Sequence, residues 1–298
     1  MPPIINTLSP FDEMLAYEAL ASREPINKVS RRLAEPGLLP SRLARQEQIP
    51  ESELEAVKSF LLTKSGFTVC FRGAYQYPDR LEDAADPVRL FYSRGDLSLL
   101  ESRCISVVGT RKISPEGSRR AKRLSTELAK AGFTIVSGLA AGVDTVALRS
   151  AIDCGGHVIG VIGTPIDEFY PKENRPLQEE IKEDHLLLSQ VPFYRYHHEP
   201  FRVRRFYFPM RNETMSALSE ATVIVEASET SGTLIQARAC LKQGRRLFIL
   251  DSCFKNPQLS WPQKFADAGA IRVHTTKDIL SALGERPQQS PWQSNGKE

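Results

Sequence analysis

The sequence predicts an α/β fold with a doubly wound, mostly parallel sheet, and three observations carry that prediction. Short apolar runs alternate with helix-patterned segments from residue 104 to residue 250. The runs ISVV (105–108), FTIVS (133–137) and HVIGVI (157–162) are apolar almost throughout, as parallel strands covered on both faces are. The turns that follow them are rich in glycine and hydroxyl residues, as strand-to-helix turns in such sheets are.

Taken in order, residues 9–62 read as helical. The stretch SPFDEMLAYEALAS opens on a Ser-Pro pair suited to a helix start, with Met14, Leu15, Ala19 and Leu20 facing inward. In SELEAVKSFLLTKSG, Ser52 is placed as N-cap, Glu55 as its capping-box partner and Gly66 as the stop. Pro36, Gly37 and Pro40 break the helices between. The predicted plan is a helical module over 1–64, a sheet-based core over 65–284 and a flexible polar tail over 285–298. The core opens with strands in FTVCF and PVRLFYSRG. Ser114 and Pro115 then form an N-cap and N1 pair, with Ala121, Leu124, Leu128 and Ala131 as the buried stripe and Gly132 as the terminator. With the flanking strands this is a βαβ unit. LLLS (186–189), ATVIVEA (221–227) and RRLFIL (245–250) are further strands, and GTLIQARACLKQ is a helix. FYRYHHEPFRVRRFYFPM reads as a loop too long for a purely structural connection.

Bulk composition limits the function classes. Lys and Arg total 39 against 36 acidic residues, a formal charge of +3, too small for a general polyanion binder, so any nucleic-acid site is local. Five scattered cysteines without a CxxC pair read as reduced residues of a cytoplasmic protein. The N-terminus lacks a basic region followed by an apolar stretch, and no segment approaches the roughly 18 apolar residues of a membrane span. The sequence reads as that of a soluble protein with no membrane partner.

Ligands in doubly wound sheets gather beyond the carboxyl ends of the strands. Three loops there form a candidate anion site: Gly109-Thr110-Arg111-Lys112, Ser137-Gly138 with the residues up to Gly142, and Ser228 through Ser231-Gly232-Thr233. Glycine lets a backbone approach an oxygen-rich ligand, and the helix N-terminus that follows supplies N–H groups and partial positive charge. Any α/β protein needs tight turns of this kind, so each loop alone is a weak signal. There is no GxxxxGK[ST] and no GxGxxG with a following acidic residue, which argues against a P-loop triphosphatase and a dinucleotide dehydrogenase. Asp144, Asp153 and Asp167, and the pair His197-His198, lack metal-ligand spacing. No Ser, Cys or Lys has an activating partner. The chain reads as a binder without cofactor or metal, and not as an enzyme.

In FRVRRFYFPMRN (201–212), Arg202, Arg204, Arg205 and Arg211 are interleaved with Phe201, Phe206, Tyr207 and Phe208. Two explanations compete. The rings fill a seam while the arginines extend to water, or the arginines hold phosphates while a ring stacks on an unpaired base.

The blocks VVGTRKISPEG, VSGLAAGVDTVALRSAIDCGGHVIGVIGTPIDEFYPKENRPL and FPMRNETMSALSEATVIVEASETSGTLIQARACLKQGR resemble, in order, the signature blocks of the DprA/Smf family of DNA-processing proteins. RGAYQYPDRLEDAADPVRLFYSRGDLSLL resembles that family's lead-in, so the likeness runs from about residue 66 to 275. The resemblance implies an extended Rossmann-like core behind a SAM-like helical module. It also implies single-stranded DNA binding during uptake (natural transformation, competence) or recombination, loading of the RecA recombinase, and a homodimer. It places Arg111 and Arg205 on phosphates and Phe208 on a base, with Arg211 and Asn212 completing the pocket. Where the family usually reads RNR, this chain has Arg211-Asn212-Glu213. Glu213 either faces the groove, where it weakens phosphate binding or signals a different ligand, or lies outward on the first turn of the next helix, where it suits the helix dipole. A C-terminal winged-helix module, which many members carry, is not expected after residue 284.

Two other readings remain open. A nucleotide-processing protein of the LOG type would use PGGxGTxxE with a catalytic glutamate, but ASETSGTLIQ places Gln236 there. A role in defence against foreign DNA would use the same strand-binding surface.

Overall fold

The computed structural model describes residues 9–74, 77–84 and 87–284; the tail expected over 285–298 lies outside them. Nine strands form one sheet: β1 (Thr68–Phe71), β2 (Leu90–Gly95), β3 (Cys104–Val108), β4 (Thr134–Ser137), β5 (Val158–Ile162), β6 (Leu186–Ser189), β7 (Ala221–Ile224), β8 (Arg246–Leu250) and β9 (Ile271–Val273). Their spatial order is β1-β2-β6-β5-β4-β3-β7-β8-β9. β1 and β2 run antiparallel to each other and β2 runs antiparallel to β6; the remaining pairs are parallel. The mostly parallel doubly wound sheet is therefore present, with an antiparallel hairpin on one edge. From β3 the chain steps outward through β4, β5 and β6, then returns to β3's other side with β7. The strand order reverses between β3 and β7, and ligand crevices in open α/β sheets form at such a switch point.

Side chains alternate across the sheet as strand geometry dictates. Ile105, Val107 and Ile135 point into one core, with α5 (Pro115–Lys130), α6 (Val143–Asp153) and α7 (Arg175–Asp184). Cys104, Val108 and Val136 point into the other, with α10 (Tyr207–Leu218), α11 (Thr233–Lys242) and α12 (Trp261–Asp267). Ser114 caps α5 as expected, its Oγ accepting from Gly117 N at 2.9 Å, and Gly132 follows with φ of +85°. Ala131, expected in the stripe, is exposed; the stripe is completed by Ser125 and Ala129.

Helices α1 (Pro10–Arg23), α2 (Ile26–Arg32), α3 (Pro40–Gln46) and α4 (Glu51–Leu61) precede the sheet. Their apolar residues, among them Met14, Tyr17, Leu20 and Val57, join the first of the two cores. The capping box proposed at Ser52 and Glu55 does not form. Pro50 is the N-cap, with no side-chain cap bond, because the helix begins two residues earlier than expected and Ser52 is already inside it. The stretch expected to be a long loop is mostly helical: α8 (Phe193–His198), α9 (Phe201–Arg204) and the start of α10. Prolines at 192 and 200 take the N-cap positions of α8 and α9 and divide the segment into short helices, which sequence periodicity over so few residues does not reveal.

Candidate nucleic-acid interface

Beyond the carboxyl ends of β3 and β7 lies a cavity of about 910 Å³ lined by Gly109, Thr110, Arg111, Lys112 and Phe208 on one side and Ser231, Gly232 and Thr233 on the other. The loops hold each other. Thr110 N donates to Glu226 O at 2.7 Å, and Thr233 Oγ1 donates to Gly109 O at 3.0 Å. Asn212 Nδ2 donates to Gly232 O at 3.2 Å, tying α10 to the loop before α11.

The floor is set by Arg211, which is 5% exposed. Its guanidinium donates to Gly138 O, to Val161 O at 3.0 Å and to Asn212 Oδ1 at 3.0 Å. Burial pushes its pKa down, Asp144 opposes that shift and Arg111 adds to it. Asp144 is buried beside it, and burial raises its pKa while Arg211 draws it back. Gly138 is required here, because a β-carbon would overlap the Arg211 guanidinium and come within 2.8 Å of the Asp144 carboxylate. Gly163 plays the same part for the ring of Phe208, which would lie 2.7 Å from an added β-carbon.

Two of the three helix N-termini expected to receive an anion already hold carboxylates of the chain itself. Glu226 accepts from Ser114 N at 3.2 Å and Ser114 Oγ at 2.6 Å at the start of α5, and Asp144 lies in the first turn of α6, accepting from Ala140 N at 3.4 Å. A carboxylate at a helix N-terminus is favoured by the same partial charge that would hold a phosphate. Cationic capacity in the cavity therefore rests on the side chains of Arg111, Lys112 and Arg120. Arg111 and Lys112 are exposed. Arg120 shares Glu116 at 3.4 Å.

Arg111 sits with its guanidinium carbon 5.7 Å from the centroid of the Phe208 ring, and the Tyr170 ring lies 5.4 Å from the same ring. Together they wall a small recess running back to Arg211. Arginine and ring are thus adjacent, the pairing that base stacking with phosphate neutralisation uses.

Of the residues singled out in the sequence, Gly109, Thr110, Arg111, Lys112, Phe208, Arg211, Asn212, Ser231, Gly232 and Thr233 line the main cavity, and Gly138 lines the recess. Ser137 does not reach it: fully buried, its Oγ donates to Val107 O at 2.7 Å, because alternation along β4 turns this residue into the sheet. Arg205 lies outside both linings, its guanidinium carbon 5.3 Å over the Phe206 ring. Arg211 is a buried clamp on two carbonyls, so its fork is spent on the protein. Glu213 lies inside α10 rather than on its first turn, and the residues lining the main cavity do not include it. Arg204 covers the Tyr196 ring at 4.5 Å. Glu199 and Glu220 are engaged by Arg195 and Arg103.

The sequence pointed to neither Glu226 nor Glu18. Glu226 was legible as a lone acid ending an apolar strand. Glu18 is fully buried in α1 and accepts from Tyr92 Oη, from Phe193 N at 2.8 Å and from Tyr194 N at 2.9 Å. It holds the first turn of α8 and so anchors the helices that carry the arginine and aromatic side chains. Burial raises its pKa to about 7 against those hydrogen bonds.

Among the described residues there is no group of His, Cys, Asp and Glu able to hold a metal ion and no helix long and apolar enough to cross a membrane. Fold and site together define a Rossmann-like α/β protein with a cavity at its topological switch point, walled by arginine and aromatic side chains. The chain belongs to the family described as DNA recombination-mediator protein A, which matches residues 68–284. It is 35% identical over 72% of its length to DNA processing protein DprA of Bacillus subtilis, covering 70% of that protein. It is 36% identical over 69% of its length to DprA of Streptococcus pneumoniae, covering 70%. The X-ray structure of S. pneumoniae DprA superposes with a TM-score of 0.69 at 28% identity, covering 92% of this chain and 93% of that one. A Helicobacter pylori DprA structure, described by its single-stranded DNA binding mode, gives 0.62 at 27% identity, covering 73% and 95%.

Proposed function

We propose that this protein binds single-stranded DNA in the cavity between β3 and β7 and acts as a recombination mediator that passes the strand to a RecA-type recombinase. The observation that carries the reading is the Arg111–Phe208 pair at the mouth of the cavity, with Lys112 beside it. Cations that neutralise phosphates and a ring that accepts a base are the two parts a single-strand site needs. A single strand presents unpaired base faces that a duplex hides. The likeness to a relative described as binding single-stranded DNA supports the same ligand.

The supply of incoming strands during DNA uptake, a homodimeric state and a cytoplasmic location belong to the same proposal, as does the absence of catalysis. Gln236, which lies at the cavity, is almost fully buried with its amide nitrogen 3.4 Å from Thr222 Oγ1. An amide cannot act as the general acid or base of a nucleotide hydrolase.

The test is a fluorescence-anisotropy titration with a labelled single strand and its duplex over a salt series, for the native protein and Arg111→Ala. Preferential single-strand binding is expected, with the variant losing about 0.7 from the slope of log K against log salt, the value for one phosphate contact on a single strand. Equal and weak binding of strand and duplex, unchanged in the variant, would remove the reading.

A further inference from the structure

Phe201 is 85% and Phe206 58% exposed, and both stand outside the cavity. Arg202 and Arg205 between them are exposed as well. Elsewhere in the segment each ring has a covering partner: Phe208 lies against Gly163 and Tyr170, Tyr196 under Arg204, and Tyr207 donates to Glu199 at 2.7 Å. Scattered surface rings are ordinary, but two rings five residues apart with arginines between them form a patterned face.

We propose that Phe201 and Phe206, with Arg202 and Arg205, form a second stacking face that takes bases of the single strand after it leaves the cavity. This rests on the single-strand reading above and extends it to residues outside the pocket. Continuity comes from Arg205. It lies in the turn between α9 and α10, and Phe208 N donates to Arg205 O at 3.4 Å, so the backbone sets Arg205 one turn ahead of Phe208. Its guanidinium lies 5.3 Å over the Phe206 ring, so the turn carrying this cation and ring leads directly into the helix carrying Phe208. Charge complementarity selects the occupant. A protein or lipid partner is held by a contiguous apolar patch, whereas here each ring is separated from the next by cations, matching the alternation of base and phosphate along a strand. The carboxylate of Glu199 is engaged by Arg195 and Tyr207, which leaves the face cationic.

The experiment compares Phe201→Ala, Phe206→Ala and the double variant with the native protein. The probes are a short oligothymidylate of about 4 nucleotides, a long one of about 16, and a long one with abasic sites outside its central portion. Each substitution is expected to weaken the long oligomer by roughly 5- to 150-fold, the ~1–3 kcal/mol of one base–aromatic stack, and to leave the short one unchanged. On the abasic strand native and variant proteins should bind alike. Equal affinity of all proteins for the long strand, while Arg111→Ala weakens it, overturns this inference and leaves the cavity reading intact. A loss that persists on the abasic strand also overturns it, because the rings then do not act through bases. So does a loss of binding to anionic phospholipid vesicles with DNA binding unchanged, which marks a membrane contact. Failure of the native protein to bind any single strand removes both proposals. Both rings are exposed, so their removal leaves the fold undisturbed.

Discussion

Two halves of one twelve-residue stretch, Phe201–Phe206 and Tyr207–Asn212, use the same residue types for opposite purposes. In the second half Arg211 is 5% exposed and spends its donors on the carbonyls of Gly138 and Val161, and Tyr207 is buried against Glu199. In the first, Phe201 is 85% exposed and Arg205 covers a ring that is itself open to solvent. The division falls where α10 begins. Once the chain enters a helix packed between sheet and cavity, a guanidinium can remain only where acceptors are already fixed, since desolvating a charge without partners costs several kcal/mol. Before that point Arg204 is held against the Tyr196 ring, while Phe201, Arg202, Arg205 and Phe206 remain exposed. The floor of the site is thus a folding element, and its outer rim is a solvent-exposed row of rings and arginines.

That contrast is most severely tested at Arg211. Arg211→Ala leaves two strand-end carbonyls and Asp144 buried without their partner, and a loss of about 3–5 kcal/mol in urea-induced unfolding is expected. Arg211→Lys recovers only part, because an ammonium cannot span both carbonyls as the planar fork does. A native unfolding midpoint with abolished DNA binding would show that the floor is ligand-binding after all.

The next effect concerns the anchor of the rim. Glu18→Ala orphans the Phe193 and Tyr194 N–H groups, and about 1–3 kcal/mol of stability should be lost. Strand affinity should fall with it, although Glu18 lies outside the cavity lining. Its pH signature has a definite sign. The folded pKa of about 7 exceeds the ordinary 4.5, so between these values the native state binds the extra proton. The contribution is therefore fully present below 4.5 and is lost as pH rises through about 7, a fall on the order of 3 kcal/mol. Glu18→Gln, which does not titrate, should show a flatter stability profile over that window. An identical slope in both proteins would assign the dependence to other groups.

Why the floor was harder to read in the sequence than the frame follows from the same contrast. The strands were legible because parallel strands are apolar on both faces, and LLLS falls on β6 residue for residue. The Gly109 and Gly232 loops were legible because strand-to-helix turns need small and hydroxylated residues. What a side chain does once folded depends on partners distant in sequence. Arg211 meets Gly138 across 73 residues, Glu18 meets Phe193 across 175, and Glu226 meets Ser114 across 112. Ser137 looked like a loop hydroxyl because it ends a strand, and strand alternation turned it inward. The family resemblance supplied Phe208 and Arg111 together, and the structure brings that pair into contact.

Phe208 stands on the boundary between the two halves and sharpens the comparison through two readouts at once. Its ring is half-buried against Gly163, with Tyr170 at 5.4 Å and Arg111 at 5.7 Å, whereas the Phe206 ring is 58% exposed with Arg205 over it. Phe208→Ala should cost about 1–3 kcal/mol of single-strand affinity, together with a smaller loss of stability from the vacated space, below the roughly 3–5 kcal/mol of a fully buried phenylalanine. Phe208→Leu refills much of that space without an aromatic face, so it should restore stability while leaving affinity low. Phe206→Ala, by contrast, should leave stability unchanged. If Phe208→Leu recovers affinity as well as stability, the ring acts by packing Arg111 into position, and stacking belongs to the exposed rings alone.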